Sequence, residues 1–331
     1  MASVVLGIGT SHGPMLTIPP ESWNVRVPFD RAAVHWFRGK TWSFDELLVA
    51  RAEEGLAVQI VPEELAARYH RCCAATGKLA ERLASAAPKQ CIIFGNDQRE
   101  IFHDGVNPAL AVFTGGAIVN AMYDDDRIAR LGPGVSLGIP GHIPPEGATY
   151  PGAPEVAAAL VKHLGESGFD IATVDAMPHD ETPHAFGFVY RRIMLDNALP
   201  SVPMIINTFY PPNQPGVRRC YELGRAVARA VAGMSDEAGP FALFASGGLS
   251  HFVIDEEFDR AVLAALAAGD EEWLTSIDEA MLQAGTSEVK SWVALAGAMS
   301  EAGLAMRLLD YVPCYRSEAG TGNAMAFVEW C

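Results

Sequence analysis

The chain of 331 residues carries 24 lysines and arginines against 40 aspartates and glutamates, which gives a formal net charge of −16. This balance excludes nucleic-acid binding through a general basic face, because phosphate binding requires clustered cations. Half of the residues are apolar, enough for a sizeable core, yet no stretch approaches the roughly 18 apolar residues of a membrane span. The N-terminus lacks a signal-type apolar run, and the six cysteines form no CxxC pair. We therefore expect a cytoplasmic protein with free thiols and no membrane partner.

Strand and helix patterns alternate along the chain. Short apolar runs rich in β-formers predict strands at 3–8, 91–95, 109–114, 171–175, 203–208 and 241–245. Helical periodicity predicts helices at 61–87, 154–164 and 216–233. A helical insert occupies 19–90, a glycine- and proline-rich loop 131–154, a mostly helical portion 256–309, and a final turn and strand 320–331. The order favours an α/β fold with a mostly parallel central sheet flanked by helices, in a single catalytic domain over 1–331.

Polar side chains follow several of the predicted strands. His12 follows the first strand, and His251 and Glu257 lie beyond the strand at 241–245. His184 lies in the loop before the strand at 203–208. Because sites gather at the carboxyl ends of parallel strands, we expect these groups to converge. Two histidines and one carboxylate hold Fe(II) and leave positions open for substrate and oxygen, and a further histidine moves protons near neutral pH.

Three segments carry a resemblance to a known superfamily: GTSHGP (9–14), GGLSH (247–251) and EEFD (256–259). They resemble the class III extradiol ring-cleavage dioxygenases, the superfamily of the protocatechuate 4,5-dioxygenase catalytic subunit. Within it, TSHGPML (10–16), the insert and GNDQREIF (95–102) are most similar to 3-O-methylgallate dioxygenase.

The resemblance implies an Fe(II) enzyme that opens the ring of a catecholic aromatic acid with O2. It implies 3-O-methylgallate as the substrate, with gallate and protocatechuate as alternatives, in the catabolism of lignin-derived aromatics. It also implies a homodimer that needs no separate small subunit, since the insert would cover the surface where such a subunit binds.

The resemblance further assigns roles to single residues. His12 matches the first iron ligand, and Glu257 matches the carboxylate ligand. His184 matches the histidine that acts as acid and base, and His251 matches a second histidine near the site. The residues expected to contact the substrate are Tyr150, Phe186, Asn207, Tyr210 and Lys290.

The second histidine ligand is missing from its expected place. Where the superfamily has Asn-Asp-His, this chain has Asn96, Asp97 and Gln98, so Gln98 or Asp97 is an alternative ligand or a support behind the ligands. His103 and His70 are the histidines nearest in sequence. From His70 to the end of its helix is about 24 Å, close to the height of a sheet, which places His70 level with the strand tips. We therefore expect His70 as the second histidine ligand.

Two other classes of protein fit the same residues. A metal-dependent hydrolase also uses histidine and glutamate ligands, for zinc. A non-catalytic binding member of the fold would explain the missing histidine. Metal content and oxygen consumption distinguish the three.

Overall fold

The computed structural model describes residues 1–103, 105–132 and 134–331. Within these ranges the strands are β1 Val4–Thr10, β2 Val34–Phe37, β3 Lys40–Ser43, β4 Gln90–Gly95, β5 Leu110–Phe113, β6 Ala117–Asn120, β7 Ala148–Pro151, β8 Ala172–Val174, β9 Ser201–Ile206, β10 Phe241–Ser246, β11 His251–Val253, β12 Met306–Tyr315 and β13 Thr321–Trp330. The α-helices are α1 Val27–Ala32, α2 Phe44–Ala50, α3 Pro62–Ala86, α4 Asp125–Arg130, α5 Pro154–Glu166, α6 His184–Phe188, α7 Val217–Ala232, α8 Glu256–Ala268, α9 Glu271–Thr275 and α10 Val289–Ala302. Short 3-10 segments include Pro14–Leu16, Pro20–Arg26, Ser136–Gly141 and Ala284–Glu288.

The main sheet is mixed, with a parallel centre. Its strands run in the order β11-β13-β1-β10-β4-β9-β5-β8, and β12 pairs with β13. Strands β1, β10, β4 and β9 are mutually parallel, whereas β13 and β5 join this centre in antiparallel fashion. The predicted α/β fold, with a mostly parallel central sheet flanked by helices, is confirmed. The carboxyl ends of β1, β10 and β4 therefore meet at one edge.

Each face of the sheet covers its own core. Leu6 and Ile8 of β1 belong to the core under α3, which supplies Leu79 and Leu83. The opposite core is filled from α5, α7, α8 and α10. On that face β1 presents glycines, and a Cβ on Gly9 would overlap the ring of Trp292 from α10. The absence of side chains at this point lets α10 lie directly on the strand that leads to His12.

Helix α10 is buried along most of its length, from Val289 to Met299. It packs against α7 at very short range because Gly224 and Gly297 carry no side chains there. A Cβ on either glycine would overlap backbone of the facing helix. This packing fixes the start of α10, and with it Glu288, at the same edge of the sheet as His12.

Three segments differ from their predicted structure. The insert at 19–90 has the expected short helices, but it also forms the hairpin β2–β3. The portion at 256–309 is helical only to Ala302, because Met306 begins β12, which pairs with β13. The segment at 131–154 is a loop only in part, since it holds a 3-10 turn and β7; Pro133 within it lies outside the described residues.

Candidate active site

A cavity of about 440 Å³ opens at the carboxyl edge of the parallel strands. The groups that line it and can bind metal or carry protons include His12, His184, His251 and Glu288. A volume of this size is within the usual range for small-molecule sites, roughly 300–1,000 Å³. The cavity is thus large enough for a single-ring substrate beside these groups.

His12 follows β1 and is held by a neighbouring strand end. Its Nδ1 bonds to the Ser246 hydroxyl at the end of β10 at 3.0 Å, and its Nε2 lies 3.4 Å from Oε2 of Glu288. Burial lowers the pKa of His12, and this effect outweighs the opposite influence of Glu288. The imidazole is therefore neutral near pH 7, which is the form that binds metal ions.

Glu288 accepts three hydrogen bonds from the protein. Its Oε2 accepts the backbone N–H of Gly248 at 2.6 Å, and its Oε1 accepts the side-chain amides of Asn96 at 3.1 Å and Gln98 at 2.8 Å. Burial alone would raise the pKa of Glu288, but His12 and His251 hold it well below its ordinary value. A charged, oriented carboxylate therefore sits inside the molecule.

His184 opens α6 and is oriented by a second carboxylate. Glu100 Oε1 accepts both the backbone N–H of His184 at 2.9 Å and a bond from its Nδ1 at 2.5 Å. Burial alone would lower the pKa of His184, but Glu100 raises it to about 9. Metal-binding histidines usually donate one ring nitrogen to such an acceptor, which leaves the other for the ion.

His12, His184 and Glu288 form a group that could hold a metal ion. Each offers one ligand atom, and these atoms all lie within 4.8 Å of one another. Ligand bonds of roughly 2.0–2.2 Å place the ligands of a single ion about 3 to 4.5 Å apart. The donor set therefore fits one ion bound by two histidines and one carboxylate, which leaves coordination positions open toward the cavity.

His251 faces the same carboxylate but is not in that group of three. Its Nδ1 bonds to the carbonyl of Leu249 at 2.8 Å, and its Nε2 lies 3.6 Å from Glu288 Oε2. Burial lowers the pKa of His251, yet Glu288 outweighs burial and the net shift is upward. Because the Leu249 carbonyl accepts the Nδ1 hydrogen, Nε2 beside Glu288 is the ring nitrogen left to exchange a proton.

Two glycines enclose the ring of His251, and one offers a test of its position. A Cβ on Gly285 would lie 2.5 Å from Nε2 of His251 and would overlap its ring. Gly285→Ala should therefore displace the imidazole and lower turnover about 100-fold or more, the contribution typical of a placed acid–base group. Bound metal should be retained. Gly165→Ala, which meets no heavy atom within 4 Å, is the matched control; equal turnover in both variants would contradict the assignment.

The expected carboxylate ligand, Glu257, lies outside this group of three, in which Glu288 is the carboxylate. Glu257 lies in the first turn of α8, where its side chain is 84% exposed and pairs with Arg38 at 3.0 Å. The buried member of the same segment is Asp259, which accepts bonds from the Ser250 backbone and hydroxyl. The face of α8 that carries Glu257 thus points to solvent, away from the cavity.

The expected second histidine ligand, His70, is also elsewhere. The buried face of α3 includes Cys72, Leu79 and Leu83, and a residue two positions from Cys72 falls on the opposite side of the helix. His70 is accordingly exposed, and it does not line the cavity. His103 is exposed as well, with its ring 4.8 Å from that of His179.

His70→Ala tests this placement directly. Because the side chain lies in solvent, metal content and turnover should stay within about twofold of the wild type, as for other surface substitutions. Metal analysis of the purified variant is the measurement. Loss of the ion would restore His70 as a ligand.

Gln98 and Asp97 take different parts in the structure. Gln98 lines the cavity and donates to Glu288, so it supports the carboxylate from the side. Asp97 accepts backbone N–H groups of the four residues 99–102 and thereby shapes the loop that carries Glu100. Asp97 therefore influences the site indirectly, because it shapes the loop whose Glu100 orients His184.

None of the five residues expected to contact the substrate lines the cavity. They are engaged in the fold instead: Tyr150 donates to Asp196, Phe186 packs in the core, Asn207 bonds to Tyr210 and Asn213, and Lys290 pairs with Glu279. The topology indicates the edge of the sheet at which this cavity opens but not which side chains reach the cavity.

The cavity wall comes from segments that strand ends do not reveal. Met15 and Ile18 enter from the segment just before the insert, and Trp23 enters from its start. His142 enters from the predicted loop at 131–154, and burial lowers its pKa to about 4. The glycine- and proline-rich composition of that loop was the available indication of a functional segment.

Comparison with known proteins places this site in a family. The model of the family described as catalytic LigB subunit of aromatic ring-opening dioxygenase matches residues 74–326, more than half of the chain. The chain therefore belongs to this family, which supports a ring-opening dioxygenase, an oxidoreductase. The match leaves out His12 and the first part of the insert.

Comparisons with solved structures and curated proteins add little to the family assignment. The crystal structure of uncharacterized protein JW3007 from Escherichia coli K12 is 16% identical, with 77% of this chain and 91% of that chain covered and a TM-score of 0.43. No curated protein matches the chain. Among the described residues, no helix combines the length and apolarity needed to cross a membrane.

Proposed function

We propose that this chain is a non-haem Fe(II) extradiol dioxygenase acting on a catecholic aromatic acid. The observation that carries the proposal is the convergence of His12, His184 and Glu288 on one point of a cavity large enough for a single ring. Two histidines and a carboxylate with open positions are typical of non-haem Fe(II) oxygenases. Membership in the ring-opening dioxygenase family supports the same chemistry.

In this proposal His12, His184 and Glu288 hold the metal ion. Bound Fe(II) would supply the redox chemistry that brings O2 and the ring together. Glu100 keeps the ring of His184 in place, and Asn96 and Gln98 orient Glu288. These contacts fix the donors before the substrate arrives.

His251 is the proposed acid and base. Its Nε2 lies beside Glu288 at the floor of the cavity, where it takes a proton from a ring hydroxyl and later returns one to the product. The resemblance gave the acid–base role to His184 and placed His251 beside it; we assign the role to His251 because Glu100 engages Nδ1 of His184. Phe188, Ile139 and Trp23 supply apolar wall that limits water near the reacting ring.

The substrate we propose first is 3-O-methylgallate, with gallate and protocatechuate next, in the catabolism of lignin-derived aromatics. The proposal extends to a single catalytic domain that works as a cytoplasmic homodimer without a small subunit. The resemblance of TSHGPML (10–16) and GNDQREIF (95–102) to 3-O-methylgallate dioxygenase supports this choice.

The test is oxygen uptake by protein reconstituted anaerobically with Fe(II), on addition of each of the three acids. Uptake with loss of the aromatic absorbance is the expected result. The same protein loaded with Zn2+, which has no redox chemistry, should take up no oxygen. Bound iron without uptake for any of the acids would point to another substrate or to a hydrolase, and failure to bind iron would overturn the metal centre.

A further inference from the structure

The cavity is lined by an unusual number of cations for so acidic a protein. The chain has 24 basic residues against 40 acidic ones, so most cations have an acid close by. Five cavity-lining residues are nevertheless arginines: Arg26, Arg99, Arg127, Arg130 and Arg316. Their charges make the cavity attractive to an anion.

These arginines differ in whether the protein already neutralises them. Arg316 is bonded to Asp30 through two nitrogens, at 2.7 and 2.8 Å. Arg127 pairs with Glu181 at 2.6 Å. Arg26 has neither an ion pair nor a side-chain hydrogen bond with any residue in the ranges 1–103, 105–132 and 134–331. It is the half-buried arginine of the cavity whose charge stays available for a ligand.

The position of Arg26 is fixed although its charge is not paired. It ends the 3-10 segment that also carries the buried Trp23, and both residues line the cavity. The backbone at Gly134 passes over its side chain so closely that a Cβ there would lie 2.9 Å from Cγ of Arg26. The aliphatic part of Arg26 is thus packed under this backbone. Burial lowers the pKa of Arg26, the nearby Arg316 lowers it further, and Asp30, which is bonded to Arg316, offsets only part of this. An anionic ligand would therefore stabilise the charged guanidinium.

Arg99 and Arg130, which also have no ion pair with a residue that the structure describes, are differently placed. Arg99 and Arg130 are exposed, and Arg99 lies over the ring of Tyr210 at 4.5 Å. Exposed charges at a cavity attract an anion from a distance but contribute little to holding it. Arg26 is therefore the residue best placed to bind.

We propose that Arg26 binds the acid group of the substrate and so makes the site selective for arylcarboxylates over neutral phenols. The inference rests on the proposed function, which supplies the identity of the ring and places its hydroxyls at the metal site. A guanidinium offers two parallel N–H donors that match the two oxygens of a carboxylate. Arg26 precedes the part of the chain that the family model matches, so the selectivity would belong to the insert of this chain.

The test measures binding rather than turnover. Isothermal calorimetry on the intact, Fe(II)-loaded protein under anaerobic conditions compares 3,4-dimethoxybenzoate with 3,4-dimethoxybenzamide, neither of which has free ring hydroxyls to be deprotonated. The wild type should bind the anion at least tenfold more tightly than the amide. Arg26→Gln should bring the two within twofold of each other, and Arg26→Lys should keep part of the preference, because the charge remains but the paired donors do not.

Arg218→Gln removes the same charge from an exposed position outside the cavity and should keep the full preference. A wild type without preference for the anion, or an Arg26→Gln or Arg26→Lys variant with the full preference, would overturn the inference. If the preference depends on Arg26 but no acid supports oxygen uptake, the proposed function fails and this inference stands. If oxygen uptake is normal and the KM for the acid is unchanged in Arg26→Gln, the inference fails and the function stands.

Discussion

Glu288→Gln is expected to weaken metal binding about 100-fold or more and to remove ring-opening activity with it, since even supporting residues of metal sites cost 10- to 100-fold. The substitution keeps the shape but replaces one oxygen with an amide that donates. Both native oxygens accept bonds, from Gly248 on one side and from Asn96 and Gln98 on the other. One of these donors would then face another donor inside the protein, which should also lower the free energy of unfolding by about 1–3 kcal/mol.

Glu257→Gln is the matched control, because it makes the same chemical change on an exposed side chain. Metal content after anaerobic reconstitution and oxygen uptake should both stay at the wild-type level in this variant. The pair of variants decides between the carboxylate that the sequence favoured and the one that the structure brings to His12. Loss of metal from Glu257→Gln, with metal kept by Glu288→Gln, would reverse the assignment.

Asp30→Asn should lower the free energy of unfolding by about 3–5 kcal/mol, the cost typical of leaving a buried charge without its partner. Asp30 and Arg316 are both buried, and the same carboxylate also accepts the hydroxyl of Thr321 at 2.7 Å. The pair joins α1 in the insert to the β12–β13 hairpin, so its loss should loosen the wall that carries Arg26. Denaturant unfolding monitored by circular dichroism measures the effect.

Two further variants separate this effect from a general sensitivity to charge. Glu166→Gln breaks the exposed pair with Lys162 and should change stability by less than about 0.5 kcal/mol. The double variant Asp30→Ala with Arg316→Met should recover part of the loss, because removing both buried charges avoids leaving one unpaired. A loss of stability in Asp30→Asn no larger than in Glu166→Gln would show that the pair does not stabilise the fold.

The sequence predicts the central strands and the long helix well, because short, continuous apolar runs bounded by turn residues are typical of buried strands. The runs at 91–95 and 241–245 are β4 and β10, and the helix predicted at 61–87 is α3. Strand β12 was missed since its partner, β13, is what makes residues 306–315 extended. Local pattern cannot indicate a pairing that forms only in the folded chain.

The residues of the candidate site also fall into those that local sequence indicates and those that tertiary packing places. His12 and His251 could be predicted because each lies at or near a strand end, and topology brings such ends together. His184 begins α6 instead, and the superfamily resemblance indicated it. Glu288 could not be predicted, because it is placed by the burial of α10 against β1 and α7 rather than by a strand. Arg26 and His142 enter the cavity from the insert and a long loop, whose paths depend on tertiary packing. The superfamily resemblance is confirmed at the level of the family, and 3-O-methylgallate as the substrate remains a prediction.

The buried amino end of α10 bears on how a metal ion would enter and leave. Aligned peptide dipoles place partial positive charge beside Glu288 at the start of the helix, and amide donors surround it on both sides. The carboxylate therefore keeps its charge and direction without an ion. The side chains that would hold the ion lose their conformational entropy during folding, so this loss is not repeated when the ion binds. Small domains that fold only around their metal unfold when it is removed, whereas this protein should survive chelation and reload from solution.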